Sequence, residues 1–401
     1  MRAPGVGLGA AGHDAGLGAA GPVGTPRGKE ESHMAAWRRL GEVIAHNMVF
    51  LVPLCLVFGV CAPDAFAVLK PLVTPMFAFV TFQGSLGNNF FNLARTFRRP
   101  APMLVAIAIS QVLMPLVGWV LGGLLFSDPN IVAGIVLEYS VPIAVTSTMW
   151  IGIYAGDMSL ALGTLLISTL ISPVTIPTTL RLLVGATVQV DAAGMFFDML
   201  VMIALPALAA TALNQATRGR VKATLSPALA PLARIFVILV ITTNSTSLHD
   251  FMFNLTPELA GVMVFIAAMA SSGYLWGFAA AHLMHLEREQ AVTLTFCSAL
   301  RNISAGAVIA QAYFPAATMF PVMTGTLFNQ FLAAVFGRVF SRAFSPDANK
   351  GNQPARDTEA PGADGAPADG SSPAHRPQGH ESAAWPLRGA PWETGLARRR
   401  P

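Results

Sequence analysis

"TFCSALRNISAGAVIAQAYF" (Thr295–Phe314) sets an arginine beside an asparagine, Arg301 and Asn302, in the middle of the otherwise uncharged run Ala291–Ala312. At ~1.5 Å of rise per residue, about 20 such residues cross the ~30 Å hydrocarbon layer of a bilayer as a helix. An arginine at that depth costs at least ~2.5 kcal/mol on insertion scales, and intramembrane ionisable residues more often mark function than packing. A second stretch has the same character. "IVLEYSVPIAVTSTMWIGIYAGD" (Ile135–Asp157) carries Glu138, a helix-interrupting Pro142 and the hydroxyl cluster Thr146, Ser147 and Thr148. In these two runs polar groups are most concentrated at mid-membrane.

Working outward, the composition agrees. Of 401 residues, 53% are hydrophobic and 11% charged, against ~25% charged in soluble domains. Long uncharged runs recur, which makes this an all-α polytopic membrane protein, with the lipid bilayer as its first partner. The basic residues behind the net charge of +4 sit mostly in tails and short loops, so they speak for membrane orientation, not nucleic acid. Cys55, Cys61 and Cys297 all lie in apolar runs and give no disulfide or metal-ligand spacing. No phosphate loop, zinc-protease helix or nucleophile elbow appears, so the chain reads as no enzyme, with no metal centre and no cofactor. "HLMHLE" (His282–Glu287) has metal-like spacing on a helix but lacks a third convergent motif.

The ends differ from the centre. Residues 1–33, rich in Gly, Ala and Pro, are expected to be disordered, with Met34 an alternative translation start. Residues 346–401, polar and rich in Pro and Gly, read as a disordered tail. Residues 34–345 form the membrane domain.

Apolar runs predict ten spans near 44–61, 69–86, 102–126, 131–154, 158–181, 193–213, 235–247, 257–281, 291–312 and 318–340, the seventh extended into its approach from Pro227. With the N-terminus inside, the inner loops collect Arg38, Arg39, Arg95, Arg98, Arg99, Arg218, Arg220, Lys222, Arg288 and Arg342. The outer loops hold Asp64, Asp128, Asp191, Asp250 and Glu258 beside Lys70 and Arg181. That is a positive-inside pattern with both termini cytoplasmic. Removing or adding one span spoils it. Ten crossings divide into two five-span halves of opposite orientation, the inverted-repeat plan of many transporters, whose site is built by interrupted helices at mid-membrane. The fourth and ninth spans correspond across the halves.

At these residues the chain resembles the bile acid:sodium symporter family. "GDMSLALGTLLISTLISPVTIP" (Gly156–Pro177) is similar to that family's loop and fifth span, and "SQVLMPLVGW" (Ser110–Trp119) to its third. "RNISAGAVIAQAYFP" followed by "PVMTGTLFNQFLAAVFG" resembles its ninth and tenth. The resemblance implies a panel of spans 1, 2, 6 and 7, and a core of spans 3–5 and 8–10. In that core the broken fourth and ninth helices cross, and an organic anion binds in the cleft between core and panel.

The departures bear on the ion. Where the family places sodium ligands, this chain has Cys297 and Arg301 on the ninth span and Ala161 and Leu165 on the fifth. Gln111, Ser147 and Thr148 remain as candidate residual sodium ligands. The reading is therefore a secondary transporter of a small organic anion in the cell membrane of a bacterium. Its expected substrate-binding residues are Arg301, as counter-charge, with Asn302, Ser298, Glu138, Thr146, Ser147 and Thr148. Coupling is to a proton carried by Glu138, or absent. Two alternatives stay open: a sodium-coupled symporter with a rearranged ion site, and a non-transporting sensor or subunit on a transporter fold.

Overall fold

The computed structural model describes residues 26–88 and 100–343. The expected tail at 346–401 and residues 1–25 of the N-terminal extension lie outside the described residues, as do Arg95, Arg98 and Arg99 of the inner loops.

The described chain is helical throughout. Helix α1 covers Pro26–His46, so residues 26–33 are helical where the composition had suggested disorder. Then follow α2 (Met48–Cys61), α3 (Pro63–Ala67), α4 (Val73–Ser85), α5 (Pro100–Leu125), α6 (Pro129–Ser140) and α7 (Ser147–Ile153). The second half of the chain runs through α8 (Met158–Leu183), α9 (Ala192–Ala216), α10 (Arg220–Phe253), α11 (Pro257–Leu283), α12 (Arg288–Ala299), α13 (Ile303–Tyr313) and α14 (Ala316–Ala343).

Six of these, α5, α8, α9, α10, α11 and α14, are long and apolar enough to cross a membrane. The predicted first and second spans fall on the shorter α2 and α4. The fourth and ninth fall on the interrupted pairs α6–α7 and α12–α13. The seventh is longer than the run 235–247, because α10 continues through Pro227 and Pro231.

Local chemistry sets the helix limits. Asp128, Asp157, Asp191 and Thr256 each accept a hydrogen bond from a backbone N–H of the first turn of α6, α8, α9 and α11. In α5 and α9 the helix widens into a π-turn, Ile109–Leu113 and Leu200–Ala204, just ahead of Pro115 and Pro206. A proline has no N–H for the carbonyl four residues back and crowds it, and the widened turn relieves that crowding. The turn after α7 passes through Ala155 at φ 55°. There Gly156 N–H returns to the Ile151 carbonyl at 2.8 Å, closing the helix end.

Packing is apolar on both sides of the helices. Inside, a large cluster joins α2, α4, α6, α9 and α11 through residues such as Phe77, Ile135, Met199 and Ile266. Outside, Leu124, Leu182 and Val264 stand exposed, as on a surface that faces lipid. An aromatic stack ties α7, α11, α12 and α14: Tyr274 lies on Phe336 with ring centroids 4.8 Å apart, and Tyr154 on Phe296 at 5.6 Å.

Candidate functional site

Two helix breaks meet. Pro142 disfavours helical backbone in the residue before it, and α6 ends with Val141 extended at φ −65°, ψ 155°. On the other side α12 ends at an extended Leu300, φ −80°, ψ 125°. Each break leaves backbone N–H and C=O groups that hydrocarbon cannot satisfy. The breaks satisfy one another: Asn302 N–H donates to the Pro142 carbonyl at 2.9 Å, and Ala144 N–H to the Leu300 carbonyl at 3.2 Å. Ile143 and Arg301 thereby form an isolated antiparallel bridge.

Further side chains secure the junction. Ser168 of α8 accepts from Ile143 N–H and from Gln111 Nε2, both at 3.0 Å. Asn302 caps α13 by accepting from Ala305 N–H at 3.4 Å. From α14, Asn329 Nδ2 donates to the Arg301 carbonyl at 3.1 Å. Gln330 of the same helix donates to Thr146 Oγ1 at 3.2 Å and accepts from Trp150 Nε1 at 2.9 Å.

Against this junction lies a cavity of about 210 Å³. Its far wall is mainly apolar, from Met48 and Val52 of α2, Phe77 and Val80 of α4, Ile203 of α9 and Val237 and Ile241 of α10, with Thr81 and Ser85 of α4 as its polar residues. Its near wall is the junction itself: Ala144–Thr146, Arg301–Ser304, and Thr326, Asn329 and Gln330 of α14. Among the described residues no carboxylate lines it, and Arg301 is its single charged residue.

The guanidinium of Arg301 is almost wholly buried. Its Nη2 donates to the Ser298 carbonyl at 2.9 Å, while Nε and Nη1 meet no acceptor. That bond places a cation on the C-terminal turn of α12, where the helix dipole favours it. Glu138 is buried in the last turn of α6, its Oε2 without a donor, and it makes no ion pair with Arg301 in this conformation.

The sequence candidates thus divide. Arg301, Asn302 and Thr146 line the cavity. Glu138, Ser147, Ser298 and Gln111 lie buried behind it, with Glu138 Oε2, Ser147 Oγ, Ser298 Oγ and Gln111 Oε1 all lacking hydrogen-bond partners. Thr148 is half-buried, and its hydroxyl donates to the Val145 carbonyl at 2.8 Å. Among the described residues no group of three His, Cys, Asp or Glu side chains is placed to hold a metal ion.

Comparison with known proteins gives the family. The model of the Sodium Bile acid symporter family matches residues 74–250. YbaS of Bacillus subtilis (strain 168), an uncharacterized protein, is 35% identical over 296 residues, covering 74% of this chain and 97% of YbaS. The chain belongs to the sodium bile acid symporter family. Within reach of this family member stand two further relatives. The uncharacterized sodium-dependent transporter YocS of Bacillus subtilis (strain 168) is 21% identical over 288 residues, 71% of this chain and 88% of YocS. The probable chloroplastic sodium/metabolite cotransporter BASS1 of Arabidopsis thaliana is 23% identical over 308 residues, 76% of this chain and 75% of BASS1.

Ser168, the clamp of the junction, and Asn329 and Gln330, which hold it from α14, are not among the binding residues expected from the sequence. The usable signal was Asn329 and Gln330, the two side-chain amides of α14; Ser168 is one hydroxyl among several in α8.

Proposed function

We propose that this protein is a ten-span secondary transporter that carries a small organic anion across the cell membrane of a bacterium by alternating access, with Arg301 as the counter-charge. The six long helices, the two short ones and the two interrupted pairs supply the ten crossings, arranged as two inverted five-helix repeats with both termini cytoplasmic. One observation carries the substrate class: the cavity at the junction is lined by a cation and by no carboxylate among the described residues. A mainly apolar far wall suits an organic body and a fixed positive charge suits its anionic end.

The same arginine argues against sodium. Where relatives of the family recruit an ion, Ala161, Leu165 and Cys297 are buried here and offer no side-chain oxygen. A sodium ion ~4 Å from the guanidinium meets a repulsion of about 4 kcal/mol at an effective dielectric of 20. Transport is therefore independent of sodium. A second reading keeps sodium coupling, and it too has an observation behind it: Gln111 Oε1 and Ser147 Oγ are buried oxygens without partners, and YocS and BASS1 carry names that specify sodium.

The deciding experiment is uptake of a panel of organic acids into vesicles containing the purified protein, with sodium and pH gradients imposed separately. At least one acid accumulates without sodium. Uptake that stops when potassium replaces sodium establishes the second reading. No uptake of any acid favours a sensor or subunit role.

A further inference from the structure

Three buried polar atoms at the junction have no hydrogen-bond partner: Glu138 Oε2 on one side, Arg301 Nε and Nη1 on the other. An ionised carboxylate without a cation or donors is among the most costly arrangements a protein interior can hold. A guanidinium cannot release its proton to relieve the mismatch. Of the two groups, only Glu138 can shed its charge, by taking up a proton.

Its surroundings restrict what else could compensate. Tyr139 is its own neighbour, and Tyr139 Oη donates to the Ile266 carbonyl at 3.0 Å, away from the carboxyl. Of the helices packed on α6, α5 has no ionisable residue, α8 has only Arg181 in its last turn, and α13 only Tyr313 at its end. On α14 the basic residue nearest in sequence with a described side chain is Arg338, 13 residues or ~20 Å of helix beyond the contact at Gly325. That contact is close. A Cβ at Gly325 would overlap Glu138 Oε1, so the glycine is what gives the carboxyl room. Four residues on, and on the same face of α14, Asn329 holds the Arg301 carbonyl. One face of one helix thus touches both the carboxyl and the junction that lines the cavity.

We propose that Glu138 is a proton-binding site that alternates with the transported anion as the partner of Arg301. The inference rests on the anion reading above. With Glu138 protonated, the free Nε and Nη1 of Arg301 sustain the positive field that attracts the anion. When Glu138 gives its proton to the aqueous side that the cavity faces, its carboxylate takes up Arg301 and the anion departs to the same side. Charge balances at each stage: one proton and one monovalent anion enter together and leave together, and the net cargo is neutral.

The test begins without any substrate. The full chain in lipid nanodiscs is titrated by infrared spectroscopy, following the carbonyl stretch of protonated carboxylic acids in wild type, Glu138→Gln and Arg301→Gln. Wild type is expected to show at neutral pH a protonated-acid band that Glu138→Gln lacks. That band should disappear on alkalinisation, and at a distinctly higher pH in Arg301→Gln, where the carboxylate has no cation to receive it. Absence of the band in wild type, or an unchanged midpoint in Arg301→Gln, overturns the exchange. For each acid that the vesicle assay returns, an inward proton gradient should accelerate uptake by wild type and not by Glu138→Gln. Uptake equally proton-driven in Glu138→Gln also overturns the proposal while leaving anion transport intact. Failure of every acid removes the anion reading, and the spectroscopic arm still decides whether Glu138 takes up and releases a proton under the control of Arg301.

Discussion

Arg301 joins structural and electrostatic roles that are usually separate. Its backbone is fixed on both sides, by the bridge to Ile143 and by Asn329. Its side chain closes the end of α12 through the Ser298 carbonyl. The charge itself was evident from the sequence, because one arginine in an uncharged run has no other reading. Its direction was not. Whether a guanidinium points at a cavity or back along its own helix depends on neighbours from α11 and α14, which are remote in sequence. The two roles make different predictions. Arg301→Lys keeps the charge but loses the planar fork, and binding of a transported acid is expected to weaken by roughly 1–3 kcal/mol, the scale of a hydrogen bond to a charged group. Arg301→Gln should weaken it further and level the preference for the acid over its neutral amide, measured by calorimetry on the folded protein. Equal discrimination by Arg301→Gln and wild type would leave Arg301 a helix cap and nothing more.

At the scale of elements, the interrupted helices were readable and their fastening was not. Pro142 and the Arg301–Asn302 pair mark the two interruptions because each conflicts with an uninterrupted apolar helix. What the broken ends bind is a non-local matter. Ser168 comes from α8 and reaches both the backbone of the junction and Gln111 of α5. In sequence it is one hydroxyl among several, and most of the others return to their own helix, as Ser172 does to the Thr169 carbonyl. Substitution separates the two kinds. Ser168→Ala leaves the buried Ile143 N–H without its acceptor and is expected to cost about 1–3 kcal/mol. Ser172→Ala removes only a local back-bond and should cost less than ~1 kcal/mol. Denaturation of the two variants in the same detergent checks this, and equal losses would show that the junction does not depend on Ser168.

For the whole molecule, the count of apolar runs anticipated where the helices lie, since hydrocarbon imposes a minimum length on whatever crosses it. It gave no information on contacts between distant helices. One such contact joins α9 to α13: Tyr313 Oη donates to Asp198 Oδ2. The two helices approach the cavity from opposite walls, α9 through Ile203 and α13 through Ile303 and Ser304. A bond that spans them resists their separation. It is an exposed bond to an ionised group, so its net worth is about 1 kcal/mol, or a factor of about five in an opening equilibrium. Tyr313→Phe removes the donor and keeps the ring. The expected result is seen with Thr326→Cys as a reporter in the cavity wall, in a chain whose exposed Cys61 has been replaced by serine. A water-soluble maleimide should label this cysteine several-fold faster once Tyr313→Phe is introduced. Asp198→Asn should give the same direction with a smaller change, because the amide still accepts a hydrogen bond but without charge. An unchanged labelling rate in both variants would mean that the walls of the cavity move, if they move, without breaking this bond.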